Sequence, residues 1–525
     1  MRSSSCSLLA FALVFFAPGL ALATTYQVGP GKPYAEISAV TRLLKPGDIV
    51  EVQGDHTYAP VEFRYDANGT AAAPIVIRGV RVNGKRPVVS GGANTVLMGG
   101  NFYTFEGFEV AGGSQICVVH KGNGVVLRDL VVHGCARHGI LGTDSDSGSL
   151  TMEYVEVYDA GSERGGEALK HPVYIATDER RYPGSVFRMQ HCYVHDANGG
   201  NSVKSRAERN EIYQNWLEGA QYYELELIGP DDGDVLRAPR EDADVVGNVF
   251  LQTRSVSYVT RIGGDGSGRT GGRYRFVNNT FVIGAASTAV GAVRVSYSVE
   301  ALEMYNNVIH RPSGPIEYVL RETELTWVSG RQVRGSNNWL STRASNVPPE
   351  WTGTISGTDP GFTNLAMKDV RPTATSPLVD KGTDLTARTD GFAFLRPQPL
   401  PPFTPPVRAL PAVGAASPRA KVGVIDIGAY EFGSATPEPG DPDAGTPGAP
   451  DSGTPGTPGT PGIPGLPGLP GTPDGDGGSG GSDTPSGSGG CACIAAGAEP
   501  EAPLLVGALA FLLVAPLARR RGRRP

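Results

Sequence analysis

Between Pro74 and Leu340 the apolar residues recur in short alternating runs broken by Gly, Asn and Asp, and no stretch there carries the period of an amphipathic helix. A three-residue signature (Asn, any residue, a large apolar residue) returns at Asn215-Trp216-Leu217, Asn248-Val249-Phe250, Asn279-Thr280-Phe281, Asn307-Val308-Ile309 and Asn338-Trp339-Leu340. The steps are 33, 31, 28 and 31 residues. Weaker equivalents with less even steps lie at Gly107-Phe108-Glu109-Val110, Asp129-Leu130-Val131-Val132, Tyr154-Val155-Glu156-Val157 and His191-Cys192-Tyr193-Val194. Short strands with a near-constant return distance predict an all-β solenoid in which each strand lies parallel on its counterpart, about 4.8 Å away. Inward residues then stack into a continuous core, and the recurrent Asn bonds along a stack of turns. A β-sandwich does not need the regular return, and a propeller wants repeats of roughly 40 to 50 residues.

A solenoid leaves unpaired edges at its ends. Pro33 to Leu44 predicts a capping helix, with Ile37, Val40, Leu43 and Leu44 on one face. Pro46-Gly47-Asp48 ends it, and Ile49 to Val52 begins the first strand. This start, with Tyr26-Gln27-Val28 before it, resembles that of the right-handed parallel β-helix proteins of the pectin-lyase-like superfamily. The far end is similar too, in Asp359-Pro360-Gly361-Phe362, Ser376-Pro377-Leu378-Val379-Asp380-Lys381-Gly382 and Asp426-Ile427-Gly428-Ala429-Tyr430-Glu431-Phe432. The resemblance spans roughly Thr25 to Gly433 and implies the fold. It does not select a chemistry, because this fold hosts lyases, hydrolases, epimerases and binding proteins.

Composition adds a location. Gly 72 and Pro 43 of 525 residues are above average usage, and much of that excess lies near the C-terminus. The net charge of -7 suits a soluble chain and argues against nucleic-acid binding. Arg2, the apolar run Leu8 to Phe16 and Ala21-Leu22-Ala23 read as a secretory signal cut before Thr24. From Ser434 to Gly490 apolar periodicity is lost, and Gly recurs every third residue from Gly453 to Gly471, as in a stiff extended spacer. Cys491-Ala492-Cys493, the apolar Pro503 to Ala518 and a closing arginine cluster follow. This order resembles the MYXO-CTERM sorting signal. It implies a membrane segment before processing, a sorting peptidase as partner and final display at the cell surface. The expected division is signal peptide 1–23, β-helix 24–345, an irregular C-terminal segment 346–433, a disordered linker 434–490 and a sorting signal with a short transmembrane tail 491–525.

Cys117 and Cys135 stand 18 residues apart, close to one coil, so that a disulfide and a pair of buried thiols are both open readings. Cys192 has no evident partner.

Three middle segments carry the candidate chemistry: His171-Pro172-Val173-Tyr174-Ile175, Ser202-Val203-Lys204-Ser205-Arg206-Ala207 and Tyr223-Glu224-Leu225-Glu226-Leu227. Alternation turns Val203, Ser205, Leu225 and Leu227 inward and the charged residues outward. In simple register Lys204 lies beside Glu224 and Arg206 beside Glu226, with Tyr174 on one side and Arg261, then Arg294, on the other. Such a polar stripe suits an acidic polysaccharide. Polyuronate lyases of the superfamily use Lys or Arg as the base next to the sugar carboxylate, with a second cation or Ca²⁺ holding that carboxylate. The resemblance implies Lys204 as base, its pKa lowered by Arg206, with Arg206 or Arg261 on the carboxylate and Tyr174 or His171 as proton donor. Glu224 opposes this by raising the Lys204 pKa, and Glu224 and Glu226 line the expected substrate path.

Two other readings stand beside elimination. One is a ladder of surface ion pairs on a non-catalytic glycan-binding or adhesive β-helix. The other is a hydrolase using acids of Gly229-Pro230-Asp231-Asp232-Gly233-Asp234. Asp144, Asp146 and Gly148 match part of a calcium loop but lack its later Glu. Calcium is therefore a candidate, no metal site is assigned, and no other cofactor motif is present.

Overall fold

The computed structural model describes residues 23–161, 169–230, 241–254, 258–265, 269–323, 325–384 and 397–433, all within one compact unit, Met1–Asp474. The expected signal peptide up to residue 22, Asp231 to Asp234, and the expected linker and sorting signal lie outside the described residues. Among the described residues no helix is long and apolar enough to cross a membrane.

The alternating runs form stacked parallel strands. One coil contains Val203–Arg206, Arg209–Tyr213 and Trp216–Glu218. Each strand pairs in parallel with its counterpart one coil on, Val203 with Leu225, Arg209 with Asp242 and Trp216 with Val249. Repetition builds a ten-stranded parallel sheet from Val61–Phe63 to Tyr318–Glu322. A 22-stranded sheet covers the other faces, and Val125–Cys135 and Leu150–Ala160 span both of its ladders. The expected parallel β-solenoid is the observed fold. It runs on to Ile355–Gly357, past residue 345, because that strand pairs with Trp339–Ser341.

Two internal stacks set the register. On the inner side of the ten-stranded sheet, Val96, Val118, Ile140, Val173, Val203 and Leu225 follow one another, all fully buried. A slip of one residue would turn this set outward, so the apolar stack holds the pairing. The second stack is the Asn ladder. Asn248 Oδ1 accepts from the Asn215 backbone N–H at 2.8 Å and from Asn215 Nδ2 at 3.0 Å. Asn248 Nδ2 in turn donates to Ile212 O at 2.8 Å and to Asn279 Oδ1 at 3.0 Å. The same pattern continues through Asn307 to Asn338. Each ladder residue follows a left-handed residue that turns the chain between strands, at Gln214, Gly247, Asn278, Asn306 and Asn337. Upstream, Gly107, Asp129, Tyr154 and His191 take the same conformation, so Phe108, Leu130, Val155 and Cys192 occupy the ladder position with apolar side chains.

The expected capping helix is a single 3-10 turn, Ile37–Ala39. Ile37, Val40 and Leu44 are buried as expected, whereas Leu43 is 42% exposed. The β-branched Val40 and Thr41 and the confining prolines leave too few residues to nucleate a longer helix. At the other end the chain folds back along the outside of the coils. Val370, Ala429 and Tyr430 pack on Tyr193, Trp216, Val249 and Leu251, while Asn278 Nδ2 donates to Asp426 O at 2.8 Å. Cys117 and Cys135 form a disulfide across a corner, with Cα atoms 5.6 Å apart, and Cys192 is a buried thiol.

Candidate functional site

The outer side of the ten-stranded sheet carries one continuous row. Leu97, Val119 and Leu141 are followed in register by Tyr174, Lys204, Glu226, Arg261, Arg294 and Arg321. The row thus changes from apolar to charged in mid-body, and successive charged residues stand about one strand spacing, 4.8 Å, apart.

The register corrects the expected partners by two residues. Val203 pairs with Leu225, which places Lys204 beside Glu226 rather than Glu224. Lys204 Nζ lies 3.7 Å from Glu226 Oε2, and Arg261 Nη1 lies 3.0 Å from Glu226 Oε1. Asn201 Nδ2 donates to Glu226 Oε2 at 2.7 Å. Burial raises the Glu226 pKa, but Lys204, Arg261 and Arg206 outweigh it and hold the carboxylate below its ordinary range. The Lys204 ammonium also sits over the Tyr174 ring, 5.1 Å from its centroid.

Arg206 does not meet Glu226 as its ladder partner. Its Nη2 pairs with Asp265 Oδ2 at 2.6 Å, its Nε donates to the Tyr174 hydroxyl at 3.1 Å, and its Nη1 donates to Gly229 O. The charged groups are sunken: the side chain of Lys204 is 11% exposed, Arg206 5% and Glu226 4%. A flat solvated ladder would leave such side chains open, so the middle of the row is covered, whereas Arg321 at its end is exposed.

Two of the expected residues lie elsewhere. His171 is buried, and its Nδ1 accepts from the Asn201 N–H at 2.9 Å. Burial first, then Lys204, His138 and Arg206, push its pKa well down, so it is neutral and packs edge-on against Tyr174 with centroids 5.5 Å apart. It supports Tyr174 from within and does not reach the outer row. Glu224 is buried one residue before its strand, where Ser202 Oγ donates to it at 2.7 Å and the Ala220 N–H at 2.9 Å.

Burial raises the Glu224 pKa to about 8. The folded value lies above the unfolded one, so its stabilising effect is full at low pH and is lost as pH rises towards 8. Replacing Glu224 with Gln is expected to reduce the fall in melting temperature between pH 5 and pH 8.5. An unchanged fall in scanning calorimetry sinks that assignment. Glu241, Glu208, Asp426 and Glu431, also raised mainly by burial, account for a residual slope.

Sequence reasoning missed Asn201, Asp265 and Glu241. The Glu241 carboxyl is buried and packs near Gly229, which accepts from Arg206. Burial and the nearby Glu179 push its pKa well up. The polar run Asn201-Ser202 before the lysine strand was the only available signal for Asn201. Asp265 and Glu241 come from turns whose reach depends on loop length. The suspected calcium loop does not fit a cation: Asp146 pairs with Arg181, and its backbone N–H donates to Asp178 at 3.0 Å. No group of three or more metal-ligating side chains gathers among the described residues.

No protein-family model and no curated protein matches the chain. Among solved structures it is similar to the pectate lyase Pel9A at 12% identity, covering 79% of this chain and 97% of that one, with a TM-score of 0.44. A PL6 family polysaccharide lyase from Pseudopedobacter saltans is similar at 9% identity, covering 68% and 98%, with a TM-score of 0.40. An alginate lyase from Paenibacillus sp. str. FPU-7 is similar at 16% identity, covering 61% and 96%, with a TM-score of 0.35. Likenesses this distant decide neither substrate nor chemistry.

Proposed function

We propose that this protein binds an acidic polysaccharide along the charged row and cleaves it by β-elimination. The observation that carries the proposal is the in-register run Lys204, Glu226, Arg261, Arg294 and Arg321 next to Tyr174, with Lys204 and Glu226 sunken at its start. Among the described residues, Lys204 and Arg261 flank the Glu226 carboxylate and Arg206 pairs with Asp265. Cations repeated at about the strand spacing suit a polymer that repeats its carboxylates.

In the proposed reaction Lys204, uncharged, takes the proton on the carbon next to the sugar carboxylate. The electron pair forms a carbon–carbon double bond, and the glycosidic C–O bond on the adjacent ring carbon breaks. The leaving oxygen takes a proton from the Tyr174 hydroxyl, which Arg206 Nε polarises from 3.1 Å. Arg261 holds the substrate carboxylate while Glu226, itself held by Asn201, fixes its guanidinium. Binding without cleavage is the second reading, favoured by the 3.7 Å approach of Glu226 to the Lys204 ammonium. Incubating the full chain with a panel of uronate polymers, with and without chelator, separates the two. Unsaturated products are expected in both arms, and polymer retention without products supports the binding reading.

We further propose that the body is exported and held at the cell surface, on the strength of the signal-like residues 1–23 and the tripartite tail 491–525. Mass spectrometry of protein recovered from the surface of the producing cell is expected to find Thr24 as the mature N-terminus. A Met1 start in a cytoplasmic fraction contradicts it.

A further inference from the structure

A cleft of about 620 Å³ lies at the corner leading into the ten-stranded sheet, where the turns of four successive coils meet. It belongs to none of the residues expected from the sequence to act on substrate. Its lining includes Gly134, beside which there is open space, and Gly161, whose backbone packs closely on Gly199 and Lys170. Its walls carry Gln115, Arg137, Asp159, Lys170 and Asn198. Arg137 Nη1 donates to Gln115 Oε1 at 3.2 Å, and Asn198 Nδ2 donates to Asp159 Oδ1 at 2.5 Å. Pairing these polar groups with one another holds them in place. Such a cleft fits a hydroxylated, charged ligand and does not fit an apolar one.

Position ties the cleft to the row. Arg137 directly precedes the strand His138–Gly142, and Lys170 lies shortly before Val173–Ala176. The next strand in the sheet, Val203–Arg206, carries Lys204. Burial, followed by the charges of Arg137, Lys204 and Lys170, pushes the intervening His138 down to about 4. Arg137, Lys170 and Lys204 thus stand on three successive coils. They span two coil spacings, on the order of 10 Å.

We propose that this corner cleft is an additional subsite for a carboxylated sugar unit, so that one polymer chain runs from the corner onto the charged row. Arg137 and Lys170 take the carboxylate, while Gln115, Asp159 and Asn198 take the ring hydroxyls. The inference rests on the acidic-polysaccharide reading and adds where the chain enters and how long an oligomer is needed to fill the site.

The test is titration calorimetry of short and long uronate oligomers on the full chain in a Lys204→Ala background, where nothing is cut. Arg137→Ala/Lys170→Ala is expected to weaken the long oligomer at least tenfold and leave the short one unchanged. Arg261→Ala/Arg294→Ala is expected to weaken both. Wild-type-like binding of the long oligomer by the cleft variant, with the row variant weakened, overturns the subsite and leaves the row reading intact. No binding by the background protein overturns both. Equal weakening towards a carboxyl-reduced oligomer overturns the assignment of Arg137 and Lys170 to a carboxylate.

Discussion

Replacing Lys204 with alanine is expected to lower the release of unsaturated uronides by about a hundredfold or more, the range typical of a lost general base. The side chain lies on the outer row, so its removal leaves the inner stack of Val173, Val203 and Leu225 untouched. Lys204→Arg sharpens the result. Arginine keeps the positive charge, but its higher pKa and longer, planar head make it a poorer base in a site shaped for lysine. This variant is expected to retain polymer binding and to lose most of its cleavage. Cleavage by Lys204→Arg at the wild-type rate makes residue 204 a charge that holds substrate and removes it as the base. Initial rates, measured by the absorbance of the new double bond beside a binding assay on the same preparations, distinguish these results.

The second large effect concerns the scaffold. Asn248→Ala removes the side chain that accepts from the Asn215 backbone N–H and from Asn215 Nδ2 and donates to Ile212 O. All three groups are buried and are left without that partner. At about 1 kcal/mol or more for each, the expected loss is about 3 kcal/mol or greater. The urea midpoint should fall accordingly. Asn346→Ala, which loses one exposed bond to Glu317 O, should shift it much less. Equal shifts would mean that the ladder carries no special share of stability.

The fold was legible because two independent features repeat along the chain. The Asn signature returns at near-constant distance since each Asn must bond to the next across one coil. The weaker upstream coils were legible only in part. Phe108, Leu130, Val155 and Cys192 fill the same internal position by packing, which leaves no single residue type to follow. The helix expected before Ile49 failed for a physical reason: a short apolar pattern reports which residues are buried better than which backbone buries them.

The site was legible as a face, less so as a set of contacts. Alternation correctly turned Lys204 and Glu226 outward, and the order Tyr174, Lys204, Glu226, Arg261, Arg294 along the row follows from it. Glu224 and His171 share that sequence neighbourhood, but they sit where the chain turns into its strand, and there alternation no longer sets direction. The two-residue register error has the same origin, since the pairing is fixed by Val203 against Leu225 inside the body. The partnership of Arg206 with Asp265 bridges 59 residues through turns of irregular length, and no local pattern encodes it.

The most direct measurement compares one polyuronate with its carboxyl-reduced counterpart on the full-length protein, following double-bond absorbance and bound polymer together. A rising double-bond signal and binding are expected for the polyuronate, with neither for the reduced polymer. Equal binding of both polymers, or the absence of binding and of products with every polyuronate tried, contradicts an acidic-polysaccharide role for the charged row.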